Sequence, residues 1–227
     1  MTIDQMGRLF ASADMYQVLG YFVITPTAAV TDGLYGGELL SDIEAIAGEL
    51  DLQTAQEPLR EFRAWIGKQV GVEDADAYFH RVRKDYTHLY TNPQFSVSTL
   101  FESRFLGNED GAKGLEIALA QTVQDLKELY ARMGFAPDFK PALRPDHMAM
   151  QLAFMQVLRT NQGIALRDGS DDAAAEIAAT AAAFLTEHLG AWAIPFFEEM
   201  AREAEEETYH FIGQLGAAFM AQELDRL

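Results

Sequence analysis

In GLEIALAQTVQDLKELYARMG the apolar residues Leu115, Leu119, Val123, Leu126, Leu129 and Met133 recur at steps of three and four. That spacing lays one apolar stripe along an α-helix and none along a strand. PLREFRAWIGKQV repeats it with Leu59, Phe62, Ile66 and Val70, and AYFHRVRKDYTHLY with Tyr78, Val82, Tyr86 and Leu89. Alternating runs are short and scattered, so the pattern predicts an all-α chain. Gly134 is expected to end its helix as a C-terminal cap. Capping-box spacing places helix starts at Thr2 with Gln5, Ser41 with Glu44 and Thr54 with Glu57.

Two breaks interrupt the helical pattern. FAPDFKPALRP, residues 135–145, holds three prolines, which forbid a continuous helix. It divides the chain into an N-terminal helical part (1–136), a hinge (137–145) and a C-terminal helical part (146–227) of about three helices. RDGSDD is the second break, where Ser170 or a neighbouring aspartate is expected to cap the alanine-rich helix that follows. With 227 residues, 49 % of them apolar, a substantial core is expected. The start of the sequence carries no export signal, and no stretch reads as long and apolar enough to span a membrane.

The 17 basic and 35 acidic residues give a formal charge of −18. Such a surface repels phosphate backbones, which argues against nucleic-acid binding, and attracts basic partners. With no cysteine there is no disulfide, thiolate metal site or cysteine nucleophile, in keeping with a cytoplasmic protein. GNEDGAKG lacks the ending of a phosphate-binding loop and reads as a loop before a helix, and no Gly-x-Ser-x-Gly occurs. EEMAREAEEE reads as a solvated helix face. A di-metal carboxylate enzyme is the alternative function class. It would rest on the single Glu-x-x-His step of Glu207 and His210, with Asp85 and His88 as the nearest second pair.

The segment LRPDHMAMQLAFM admits two readings. Asp146 is placed to cap the helix that follows, with Met148, Leu152, Met155 and Leu158 on its buried stripe and His147 an ordinary first-turn residue. Alternatively, the pair Asp146-His147 binds something.

These residues resemble the Glu-x-Pro-Asp-His signature of the TorD/DmsD/NarJ family of cytoplasmic molybdoenzyme-maturation chaperones. DYTHLYTNP, SVSTLFESRFLG, ELYARMGF, FLTEHLGAWAIPFFEEM and TYHFIGQLGAAFMAQEL resemble further family segments, in the same order, from Asp85 onward. The signature's leading glutamate is replaced, by Leu143 or Arg144, Gln151 stands for a glutamate, and Ser98 for an aromatic residue. The loop between Pro93 and Ser96 is shortened.

The resemblance implies a TorD-like helical fold without catalysis or cofactor. The implied partners are the twin-arginine signal peptide and the apo form of a molybdopterin oxidoreductase, whose export waits on cofactor insertion. It points to Pro145, Asp146, His147, Tyr86 and Trp192 as peptide-binding residues, with Trp192 itself buried between two C-terminal helices. Carboxylates suit guanidinium forks, and nine methionines and fifteen phenylalanines suit an apolar segment. The hinge suggests a monomer with a minor, domain-swapped dimer.

Overall fold

The computed structural model describes residues 3–92, 97–107 and 115–227, without the side chains of Ile3, Asp4 and residues 115–119. Thr2, the shortened loop at residues 93–96, the loop at residues 108–114, and the side chains of Leu115 and Leu119 lie outside what is described. The described residues are helical, with no strand beyond two isolated bridges.

The chain opens with α1 (Ile3–Phe22), α2 (Ala28–Gly36) and α3 (Glu38–Glu49), followed by α4 (Gln56–Gln69) and α5 (Ala75–Tyr86). A short α6 (Glu102–Gly107) and α7 (Leu115–Arg132) lead to the proline-rich connection, and α8 (Met148–Arg167), α9 (Asp171–Phe184), α10 (Gly190–Glu203) and α11 (Glu207–Asp225) complete the fold. The expected stripes are buried at Leu59, Phe62, Ile66, Tyr78, Val82, Tyr86, Leu89, Met148, Leu152, Met155 and Leu158. Two stripe ends are not. Val70 is 51 % exposed because α4 stops at Gln69 and Gly71 turns the backbone with φ 88°. Met133 lies past the end of α7, where Gly134, at φ 65°, turns the chain and lets Phe135 N–H donate to the Tyr130 carbonyl.

Two of the predicted helix starts fall elsewhere. Ser41 lies inside α3, which begins after Gly37, and its hydroxyl donates back to the Gly37 carbonyl. Thr54 sits in a single 3₁₀ turn ahead of α4. Ser170 stands at the N-cap of α9 without a side-chain hydrogen bond.

Helices α1 and α8 lie against each other, α10 and α11 form an antiparallel pair, and α4 and α5 also reach α11. The buried apolar residues therefore form one cluster on both sides of the 137–145 connection. A Cβ at Gly213 would stand 2.6 Å from the Phe197 carbonyl oxygen and 2.5 Å from Ala201 N, so only glycine permits this α10–α11 contact.

The reading that no stretch is long and apolar enough to span a membrane needs one correction. A π-turn at Leu185–Leu189 joins α9 to α10, and the continuous helix Asp171–Glu203 meets that length and hydropathy test. Alanines of α9 and core side chains of α10 supply its apolarity; Trp192, Phe196, Phe197 and Met200 are buried within the protein.

Candidate functional site

The Pro145-Asp146-His147 segment is pinned to the segment before α6 by an antiparallel bridge between Phe101 and His147. Glu102 N–H donates to the Asp146 carbonyl (3.0 Å), Met148 N–H to the Leu100 carbonyl (2.8 Å), and the Tyr130 hydroxyl to the Pro145 carbonyl (3.1 Å). The helix start is therefore held by Leu100 and Glu102, more than forty positions upstream, and by Tyr130.

The cap is not Asp146. The N-cap of α8 is His147, whose Nδ1 accepts the Ala149 N–H at 3.1 Å. This fixes the neutral tautomer with its proton on Nε2. Burial pushes the His147 pKa down to about 4, offset in part by the neighbouring Asp146 carboxylate and reinforced by Arg144.

Asp146 is fully buried and faces the other way. Its Oδ2 accepts from the Ser103 hydroxyl at 2.5 Å and from Arg144 Nη2 at 2.9 Å, whereas Oδ1 is buried with no hydrogen-bond partner among the described residues. Arg144 also reaches the Ser103 hydroxyl (3.2 Å), and its guanidinium lies over the Phe101 ring, 4.8 Å from the centroid. A carboxylate, a hydroxyl and an aromatic face thus surround one planar cation. The Arg144 side chain is 44 % exposed, so the seat opens to solvent on the cation's side.

A second network joins this node to α10. Glu102, next to Ser103, accepts from Gln151 Nε2 and lies 3.2 Å from His188 Nδ1. Gln151 Oε1 accepts the Trp192 indole N–H at 3.0 Å. Trp192 is fully buried, with ring centroids 5.6 Å from Phe105 and 5.3 Å from Phe196. Tyr90 stacks on Phe196 at 5.9 Å and meets Tyr86 at 5.5 Å. Pro145, Asp146 and His147 thus share one node, Trp192 joins it through Gln151 and Glu102, and Tyr86 sits at the far end of an aromatic chain.

Sequence reasoning passed over Phe101, Glu102, Ser103, Arg144 and His188. The first three lie within SVSTLFESRFLG, where resemblance drew attention to the segment but no local spacing marks these side chains. Beside the node, Phe139 of the connection, Ala149 and Ala153 of α8, and Tyr21 and Ile24 of α1 line a crevice of about 200 Å³.

Of the residues considered for a di-metal centre, Asp85 and His210 are otherwise engaged. Both Asp85 oxygens accept backbone N–H groups, from Glu205 (3.1 Å) and Glu206 (2.9 Å), capping α11 from a distance. His210 Nδ1 lies 2.7 Å from the Ala201 carbonyl oxygen. Among the described residues no group of three or more His, Asp or Glu side chains is arranged to hold a metal ion.

The family model described as nitrate reductase delta subunit matches residues 49–198. The match begins well before Asp85, where the sequence resemblance starts, and ends short of α11, so it leaves the TYHFIGQLGAAFMAQEL segment outside. No curated protein and no solved structure matches the chain.

Proposed function

Because this chain belongs to the nitrate reductase delta subunit family, a family of molybdoenzyme-maturation chaperones rather than catalysts, we propose that it is the cytoplasmic chaperone of one molybdopterin-containing oxidoreductase. In this reading it binds the client's twin-arginine signal peptide and apoprotein and delays export until the cofactor is inserted.

The observation that carries the reading is the half-used carboxylate of Asp146. Arg144 takes one oxygen and leaves the other buried and unpaired, in a setting that already suits a guanidinium. Arg144 holds the place of a client arginine. When the signal peptide arrives, its arginine displaces Arg144, stacks on Phe101 and uses both oxygens as a bidentate pair. His147 fixes the first turn of α8, and the Gln151–Trp192 and Tyr86 clusters keep the seat rigid from behind. The apolar part of the peptide continues over Phe139 and Ala149.

Calorimetric titration of a twin-arginine signal peptide encoded in the same genome tests this. Asp146→Asn should weaken binding by about tenfold or more, from loss of a charge-assisted pair. Arg144→Gln should tighten it, because the competing cation is gone. Wild-type affinity in Asp146→Asn with an unchanged melting temperature, or weaker binding in Arg144→Gln, would return the motif to a helix start.

A further inference from the structure

We propose that the crevice between α1, α8 and the end of α11 is a binding site for a small phosphate-type oxyanion. It is independent of the signal-peptide site. Arg159 lies twelve residues past His147, about 18 Å further along α8.

The crevice runs against the charge of the molecule. In a chain with a net charge of −18, Arg8 of α1, Arg159 of α8 and Arg226 after α11 converge on one cavity of about 360 Å³. Glu223 is the carboxylate lining it, and that charge is already met. Its Oε2 accepts from Arg159 Nη2 (2.8 Å) and Nε (3.2 Å) and from the buried Tyr16 hydroxyl (3.1 Å). Arg226 donates to the Leu50 carbonyl at 2.9 Å, with its other terminal nitrogen 3.8 Å from Glu223. Arg8 is exposed and makes no ion pair among the described residues. Among the described lining residues, three arginines thus face one carboxylate.

A second observation points the same way without involving charge. Ser12, on the same helix as Arg8, lines the cavity, is 3 % exposed, and its hydroxyl has no hydrogen-bond partner among the described residues. Buried hydroxyls are ordinarily paired, and most serine hydroxyls inside a helix bond back to a carbonyl one turn earlier. This one borders the crevice with its donor unused.

The donors identify the ligand's shape. Guanidinium groups from three separate elements and one hydroxyl approach from different directions, which is more than the two oxygens of a carboxylate can use. A tetrahedral phosphate offers three or four oxygens to such a set. The cavity lies at the small end of ligand sites, which run from about 300 to 1,000 Å³, so the occupant is phosphate itself or a small phosphate monoester. Occupancy would tie α1 to α8 and α11, across the 137–145 connection.

The test uses the full chain in low-salt buffer, titrated with orthophosphate, glycerol phosphate and succinate at matched ionic strength, by calorimetry and thermal melting. Saturable binding of orthophosphate or glycerol phosphate, with a rising melting temperature and weaker binding of succinate, is expected. The tighter of the two phosphates names the source. Arg8→Ala should weaken phosphate binding roughly tenfold without moving the melting temperature of the unliganded protein, since Arg8 has no partner among the described residues to lose. Ser12→Ala should weaken it a few-fold and leave the unliganded protein no less stable. No saturable phosphate binding, equal effects of succinate and phosphate, or wild-type affinity in Arg8→Ala would overturn the proposal. None of these outcomes bears on signal-peptide binding.

Discussion

Replacing Trp192 with alanine separates a packing role from a ligand-contacting one. The indole is fully buried between Phe105 and Phe196, so truncation leaves a cavity costing about 3–5 kcal/mol. It also strands Gln151 Oε1, which now accepts the indole N–H, and a buried amide left unpaired adds about 1–3 kcal/mol. The sum, about 4–8 kcal/mol, is a quarter or more of the stability of an ordinary domain, about 5–15 kcal/mol. Trp192→Phe keeps most of the volume and loses only the hydrogen bond, so about 1–3 kcal/mol is expected. Urea denaturation of both variants, with unchanged dependence on denaturant, gives the two losses and their difference. A loss below about 2 kcal/mol in Trp192→Ala would refute the cavity argument. A variant that melts like the wild type yet fails to bind signal peptide would place Trp192 in the groove instead.

His147 should make stability depend on pH. Its folded pKa lies near 4, below the ordinary 6.5, so the unfolded chain takes up the proton first. Stability is then full above pH 6.5 and falls as pH drops towards 4, by about 3 kcal/mol over the whole window. His147→Asn retains a capping acceptor and should flatten that part of the profile, measured as urea midpoints between pH 7.5 and 5. Gly213→Ala should cost about 1–3 kcal/mol or more by forcing α10 from α11, and a neutral thermal melt would contradict the close approach. In solution the chain should be mostly monomer with a slowly exchanging minor dimer, formed by exchange of the helices after residue 145. Light scattering that shows one species at all concentrations and after partial unfolding would count against it.

What was legible in the sequence is what depends on neighbours three and four residues away. The stripes of α4, α5 and α8 are buried nearly as their spacing requires, and Gly134 turns the chain as a cap should. The helix starts were less legible, because a capping-box spacing says only that a cap would be satisfied if a helix began there. Ser41 has that spacing and lies within α3, since the chain already turns at Gly37, with φ 89°. Val70 belongs to the stripe by spacing, but Gly71 ends the helix before its side chain reaches the core.

The Asp146-His147 pair shows why the site was harder to read than the fold. Locally, an aspartate before an apolar helix is a better cap than a histidine, and the sequence offers nothing to reverse that order. The order is reversed from afar. Ser103, forty-three positions upstream, and Arg144 together draw the carboxylate away from the helix end, and the bridge at Phe101 aligns His147 to take the cap. The exchange matters for the chemistry. A capping carboxylate spends its charge on backbone N–H groups, whereas this one pairs with a half-exposed arginine and keeps one oxygen unpaired among the described residues. By taking the cap, His147 leaves the Asp146 carboxylate to Ser103 and Arg144. That division of labour gives the histidine a task which its place in the sequence did not suggest. It also predicts that restoring a cap at 147 without restoring the charge at 146 recovers stability but not peptide binding.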